Sequence, residues 1–123
     1  TEFCDMYDAY DRLPEELKQR IRGMRAVHDD SRTAAGGLRK GKKDVTDVRH
    51  VTGARHPLVR THPATGRKAL YLGRRRNAYI VSLPVEESEA LLDRLWSHAI
   101  AASSAWTQEW QVGDLVVWDN RCV

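Results

Sequence analysis

Apolar residues recur at three- and four-residue spacing from Phe3 through Met6, Tyr7 and Tyr10 to Leu13, which predicts an amphipathic helix. Pro14, Glu15 and Glu16 then restart the chain. Proline suits a first helical turn, and carboxylates there complement the helix dipole. Leu17, Ile21 and Met24 line one face of this second helix, and Gly23 opposes a longer continuation. A short strand is expected over residues 25–28. Two more, residues 57–61 and 67–72, flank Pro63-Ala64-Thr65-Gly66, a run of turn formers. Residues 79–82 predict another strand. Pro84 opens a helix over residues 85–101, with Glu86, Glu87 and Glu89 early and Leu91, Leu92, Leu95, Trp96 and Ile100 as its buried face. Residues 106–111 and 115–118 are expected to pair as a hairpin across Val112-Gly113-Asp114. Helices first and strands mostly later make the fold class α+β.

Composition narrows the picture. With 123 residues, 41% hydrophobic and 30% charged, the chain is long enough for one globular domain and too apolar to be disordered. No apolar run approaches the ~18 residues of a membrane span, so no membrane partner is expected. Cys4 and Cys122 fit neither a disulfide framework nor a zinc site and read as free thiols of a reducing cytoplasm. The net charge of +3 is concentrated in residues 29–55, where seven Lys/Arg face four Asp. That segment is also rich in Gly and poor in apolar periodicity, so it reads as a long basic loop or lid. No aromatic residue interleaves its charges, which leaves bases nothing to stack on and argues against nucleic acid as a partner.

The last residues add chemistry. Gly113-Asp114-Leu115-Val116-Val117-Trp118-Asp119-Asn120-Arg121 ends in a cluster too polar for plain core. It resembles the strand that delivers the last iron-ligating histidine in the taurine dioxygenase family of iron(II)/2-oxoglutarate-dependent dioxygenases. Further pieces resemble the same family in order: Thr1-Glu2-Phe3, Ala9-Tyr10-Asp11-Arg12-Leu13, Gly23-Met24-Arg25-Ala26-Val27-His28-Asp29, His56-Pro57-Leu58-Val59-Arg60-Thr61-His62-Pro63 with Thr65-Gly66, and Glu87-Ser88-Glu89-Ala90-Leu91-Leu92. The Thr-Glu-Phe-Cys-Asp-Met opening is similar to the 2,4-dichlorophenoxyacetate dioxygenase branch.

The resemblance implies part of a double-stranded β-helix (jelly roll) with a helical insert, and an enzyme using Fe(II) and 2-oxoglutarate. Such enzymes hold iron by two histidines and one carboxylate and couple oxidative decarboxylation of 2-oxoglutarate to hydroxylation of a substrate C–H bond. Thr1 would contact the far carboxylate of 2-oxoglutarate. Trp118 would lie near the iron, with Asn120 and Arg121 satisfying polar groups beside it. Thr33 and Ala34 fall where the lid approaches substrate. Arg74-Arg75-Arg76 falls near a substrate contact, so Arg76 would favour an anionic substrate. The family's His-x-Asp pair would precede Thr1, and its last histidine and 2-oxoglutarate arginine would follow Val123. Residues 1–123 are therefore expected to be an incomplete single dioxygenase domain, inactive alone.

His28-Asp29-Asp30 also fits His-x-Asp, but its neighbours match the later family segment, which leaves His28 a structural role. His56 and His62, about 20 Å apart on an extended segment, cannot share a metal and are expected to pack or hydrogen-bond. His50 and His98 carry no pattern. Small-molecule substrate and molecular oxygen are the expected partners, with a homo-oligomer left open. A catalytically inert binding or interaction domain that keeps the scaffold is the alternative, decided by the residues adjoining each end. Steep salt dependence of DNA binding would mark a basic nucleic-acid module instead.

Overall fold

The computed structural model describes residues 1–33, 35–73, 77–101 and 105–123. Strand β1 (Glu2–Cys4) leads into helix α1 (Met6–Asp11), which starts late because Asp5 caps it, accepting from the Tyr7 and Asp8 amides at 2.8 and 3.2 Å. Phe3, expected on the helix, is therefore in a strand. Helix α2 (Glu15–Ile21) buries Leu17 and Ile21 and stops before Gly23, whose φ is +74°. Strand β2 (Arg25–Asp29) follows as expected.

The basic segment carries its own structure. Lys42 pairs with Asp30 at 2.9 Å and Arg32 with Asp44, residues 32 and 38 form a bridge, and Asp47 caps a short 3-10 helix, Val48–His50. Exposed pairs of this kind contribute about 0–1 kcal/mol each, so they shape the loop more than they stabilise the molecule. The loop ends sooner than its composition suggested, because strand β3 (Gly53–Pro57) begins inside it. β3 pairs with β2 from Arg25↔Pro57 to Asp29↔Gly53. Its strand character comes from that partner and not from an apolar pattern. Gly53 has φ +147°, and a Cβ there would sit 1.8 Å from the His28 carbonyl oxygen, so only glycine fits.

Strands β4 (Val59–Thr61) and β5 (Lys68–Leu70) pair across the expected turn, β4 starting later than expected and β5 shorter at both ends. Strand β6 (Tyr79–Ile80) joins the other edge of β2, giving a three-stranded antiparallel sheet ordered β3-β2-β6. Helix α3 (Val85–Ala101) has the expected bounds. Its buried face is Ser88, Leu91, Leu92, Leu95 and Ala99, whereas Ile100 is 70% exposed. Ile100 lies one step past the stripe, so Ala99 takes the inward place. The Ile80 amide donates to buried Ser88 Oγ at 2.9 Å, tying α3 to the sheet. The core cluster joins Met6, Leu17, Ile21, Leu58, Ile80 and Leu92 with their neighbours on α1, α2, α3 and the strands.

The expected terminal hairpin does not form. Strand β7 (Ala105–Thr107) instead pairs antiparallel with β1, Phe3 opposite Trp106. The Gln111–Asp114 turn is present, closed by the Asp114 amide on Gln111 O at 3.1 Å, but residues 115–118 are not in a strand. The first run found a partner in β1, distant in sequence, and that pairing replaces the local one. Among the described residues no helix is long and apolar enough to cross a membrane.

Candidate functional site

Alternation along β2 puts Ala26 and His28 on one face of the sheet, and the β2–β3 register puts His56 diagonal to His28 on that face. Their rings meet edge to face at 4.7 Å, and Tyr71, just past β5, stacks on His28 at 4.9 Å and meets His56 at 5.1 Å. The Arg60 guanidinium lies 4.8 Å from the Tyr71 ring centroid. Burial, and then His56, pushes His28 below the usual imidazole range, so it is neutral at pH 7. Its Nε2 is buried with no hydrogen-bond partner among the described residues. His28 and His56 thus pack as expected, against each other.

This cluster borders a cavity of about 370 Å³, walled by His28, Tyr71 and Leu72 on one side and by Asp29, Arg32 and Arg39 of the basic segment on another. Asn120 and Val123 close it from the far end of the sequence. Burial raises the Asp29 carboxyl, but hydrogen bonds from Ser31 and from Asn77 (Nδ2 to Oδ2, 2.7 Å) outweigh it and leave the group below its ordinary value. Arg32 donates to Gly36 O at 2.7 Å and to Asp44, while its Nε is buried with no partner among the described residues.

Of the expected site residues, Thr1 and Trp118 are not among those lining this cavity. Thr1 Oγ accepts from Trp110 Nε1 at 2.9 Å, and the Gln108 amide donates to Thr1 O at 2.8 Å. Phe3 stacks on Trp106 at 5.3 Å and meets Trp118 at 5.1 Å. Trp118 Nε1 donates to Asn120 Oδ1 at 3.0 Å, linking the two neighbourhoods. Thr33 is exposed on the basic segment, its amide donating to Gly37 O at 2.8 Å. Ala34 and the Arg74-Arg75-Arg76 run, including Arg76, lie outside the described residues.

Two contacts anchor the last segment. His62, 5% exposed, has its Nε2 3.0 Å from Asp119 Oδ2, and Arg121 chelates the same carboxylate. Arg121 first, then His62, holds the Asp119 carboxyl well below the usual carboxylate range. The Met6 amide donates to Cys122 O at 2.9 Å. Cys4 and Cys122, far apart in sequence, line one apolar cavity of about 300 Å³ with Phe3 and Trp106, both as free thiols. Sequence reasoning missed Arg39, Tyr71 and the His28–His56 contact. The last was readable only once residues 53–57 were known to be a strand.

No three His, Cys, Asp or Glu side chains among the described residues converge as a metal-binding group. These residues alone do not fit an iron centre of two histidines and a carboxylate.

The taurine catabolism dioxygenase TauD, TfdA family matches residues 1–123. The alpha-ketoglutarate-dependent 2,4-dichlorophenoxyacetate dioxygenase of Burkholderia sp. (strain RASC) is 42% identical over 100% of this chain and 41% of its own length. The (S)-phenoxypropionate/alpha-ketoglutarate-dioxygenase of Sphingobium herbicidovorans is 38% identical over 100% of this chain and 44% of its own. The crystal structure of AAD-2 in complex with Mn(II) and N-oxalylglycine superposes with a TM-score of 0.78 at 35% identity, covering 98% of this chain and 47% of that one. The chain thus spans under half the length of these relatives.

Proposed function

The chain belongs to the taurine catabolism dioxygenase TauD, TfdA family, and on that premise we propose that the whole protein is an iron(II)/2-oxoglutarate-dependent dioxygenase hydroxylating a small, anionic organic substrate with molecular oxygen. The observation that carries this reading is the family match over all of residues 1–123. Relatives named for 2,4-dichlorophenoxyacetate and phenoxypropionate support the acid substrate class.

In this reading residues 1–123 are part of one dioxygenase domain, a double-stranded β-helix with a helical insert, and the iron ligands lie outside them. Bound iron supplies the redox chemistry, and the present residues bind and orient. Thr1 holds the far carboxylate of 2-oxoglutarate. Its oxygen already accepts the Trp110 N–H, so its own proton is left to donate to an anion. Trp118 and Asn120, joined by their hydrogen bond, form the wall beside the metal. Thr33 and Arg76 stand on the substrate side. The residues 29–55 act as a lid whose ion pairs are weak enough to exchange. Two free thiols suit a reducing cytoplasm.

The test is succinate release by the whole protein supplied with Fe(II), 2-oxoglutarate and oxygen, with a panel of aryloxy-, alkyl- and sulfonate acids. At least one acid should raise succinate and appear as a hydroxylated product. If no acid does so, and 2-oxoglutarate does not bind, the reading is wrong.

A further inference from the structure

The cavity beside His28 joins groups from three distant parts of the chain, and its described side chains carry more positive than negative charge. Among the described residues Arg32 and Arg39 face a single lining side-chain carboxylate, Asp29. Asp29 is already served by the Ser31 amide and by Asn77, so it has little hold on either arginine. Arg32 is fixed by Gly36 and Asp44. Arg39 donates its Nε to Arg32 O at 3.1 Å, which orients the guanidinium, and no carboxylate pairs with it among the described residues. One further donor on a lining residue, Arg32 Nε, is buried without a partner among the described residues. An unmet buried polar group costs free energy that a ligand can return. The volume, about 370 Å³, is that of a small-molecule site, and Tyr71 and Leu72 offer an apolar wall.

From this juxtaposition we propose that the cavity is a carboxylate-binding subsite in which Arg39 supplies the charge and Arg32 and Asn120 supply fixed hydrogen-bonding groups. Arg39 presents its two terminal nitrogens to a planar carboxylate, an arrangement lysine cannot reproduce. The proposal rests on the dioxygenase reading for the source of the acid, which is either the substrate or 2-oxoglutarate. It places specificity on the basic segment, in Arg39.

The experiment measures dissociation constants by calorimetry on the whole protein and its Arg39→Gln and Arg39→Lys variants. The probes are phenoxyacetate, phenoxyacetamide and 2-oxoglutarate. Arg39 is exposed, so neither variant should disturb folding. Arg39→Gln should weaken phenoxyacetate about 10-fold or more, leave the amide unchanged, and be partly rescued by Arg39→Lys. The same loss confined to 2-oxoglutarate keeps the subsite and assigns it to the cosubstrate. Equal loss for acid and amide, unchanged affinity for both acids, or no acid bound by the wild type overturns the proposal. The readout needs no turnover. A protein that binds acid through Arg39 yet makes no succinate loses the dioxygenase reading alone, and one that makes succinate with unchanged acid affinities loses the subsite alone.

Discussion

Leu92 and Leu95 on α3 and Leu115 and Val117 near the end of the sequence are similar side chains with opposite fates. The first two are 0% exposed, the second two 87% and 84%. Burying such a side chain is worth about 1.5–3 kcal/mol, so the difference is not minor. It comes from partners. α3 lies against α1 and the sheet, and each inward leucine meets side chains already drawn there. The segment 105–123 touches the body through β1, the Met6 amide and the His62–Asp119 contact, and Leu115 and Val117 have no layer to enter. One region holds the fold. The other holds Trp110 against Thr1 and Asn120 against the cavity, which is what the proposed function asks of it. Large exposed apolar groups in a cluster mark surfaces made for contact. In the proposed jelly roll the remaining strands of the whole protein cover them.

The largest expected effect lies in the core. Leu95→Ala should destabilise the 123-residue chain by about 2–5 kcal/mol in urea unfolding. A cost under 1 kcal/mol would mean that α3 is not the keystone its burial implies.

The contact between the two regions should show in acid. Asp119 is held below its ordinary value by Arg121 and His62, so its folded-state pKa lies below its unfolded value of about 3.9. The stabilisation is present above that value and is lost as pH falls through the lower folded value. Asp119→Asn should therefore flatten the acid limb of a stability–pH curve and loosen the segment at neutral pH, seen as a change in tryptophan fluorescence. Because the pair is partly exposed, the effect should be smaller than that of Leu95 and weaker in salt. An acid limb identical to wild type would leave Asp119 without a part in joining the regions.

Leu115→Ala should be the mildest change, within about 0.5 kcal/mol in the 123-residue chain. If it costs as much as Leu95→Ala, the segment is buried after all and the contrast collapses.

What could be read from the sequence followed locality. The bounds of α3 were legible, because its stripe and its early glutamates lie within it and Pro84 immediately precedes it, although Ile100 fell outside the buried face. The β4–β5 hairpin was legible from one turn. β3 was not, since Gly53, Arg55 and His56 carry no strand pattern and β2 alone makes them a strand. The terminal hairpin was wrongly expected because the β1–β7 pairing spans nearly the whole chain. The site divides the same way. Thr1, Trp118 and Asn120 came from motif resemblance, and their neighbours came only from the fold. The cavity needs Arg39, Tyr71 and Asn120 together, and no window of sequence contains all three. The two cysteines meet at one cavity for the same reason.

The central claim is that the segment around Thr1 reads 2-oxoglutarate while the helical core holds the fold. It is tested most directly by the 2-oxoglutarate dissociation constant of the metal-loaded whole protein carrying Thr1→Val, measured beside its melting temperature. Losing a hydrogen bond to a charged group costs about 1.5–3 kcal/mol, which predicts affinity weakened roughly 10- to 100-fold. The melting temperature should hold, because Thr1 is exposed and outside the core. Unchanged affinity for 2-oxoglutarate would contradict the account.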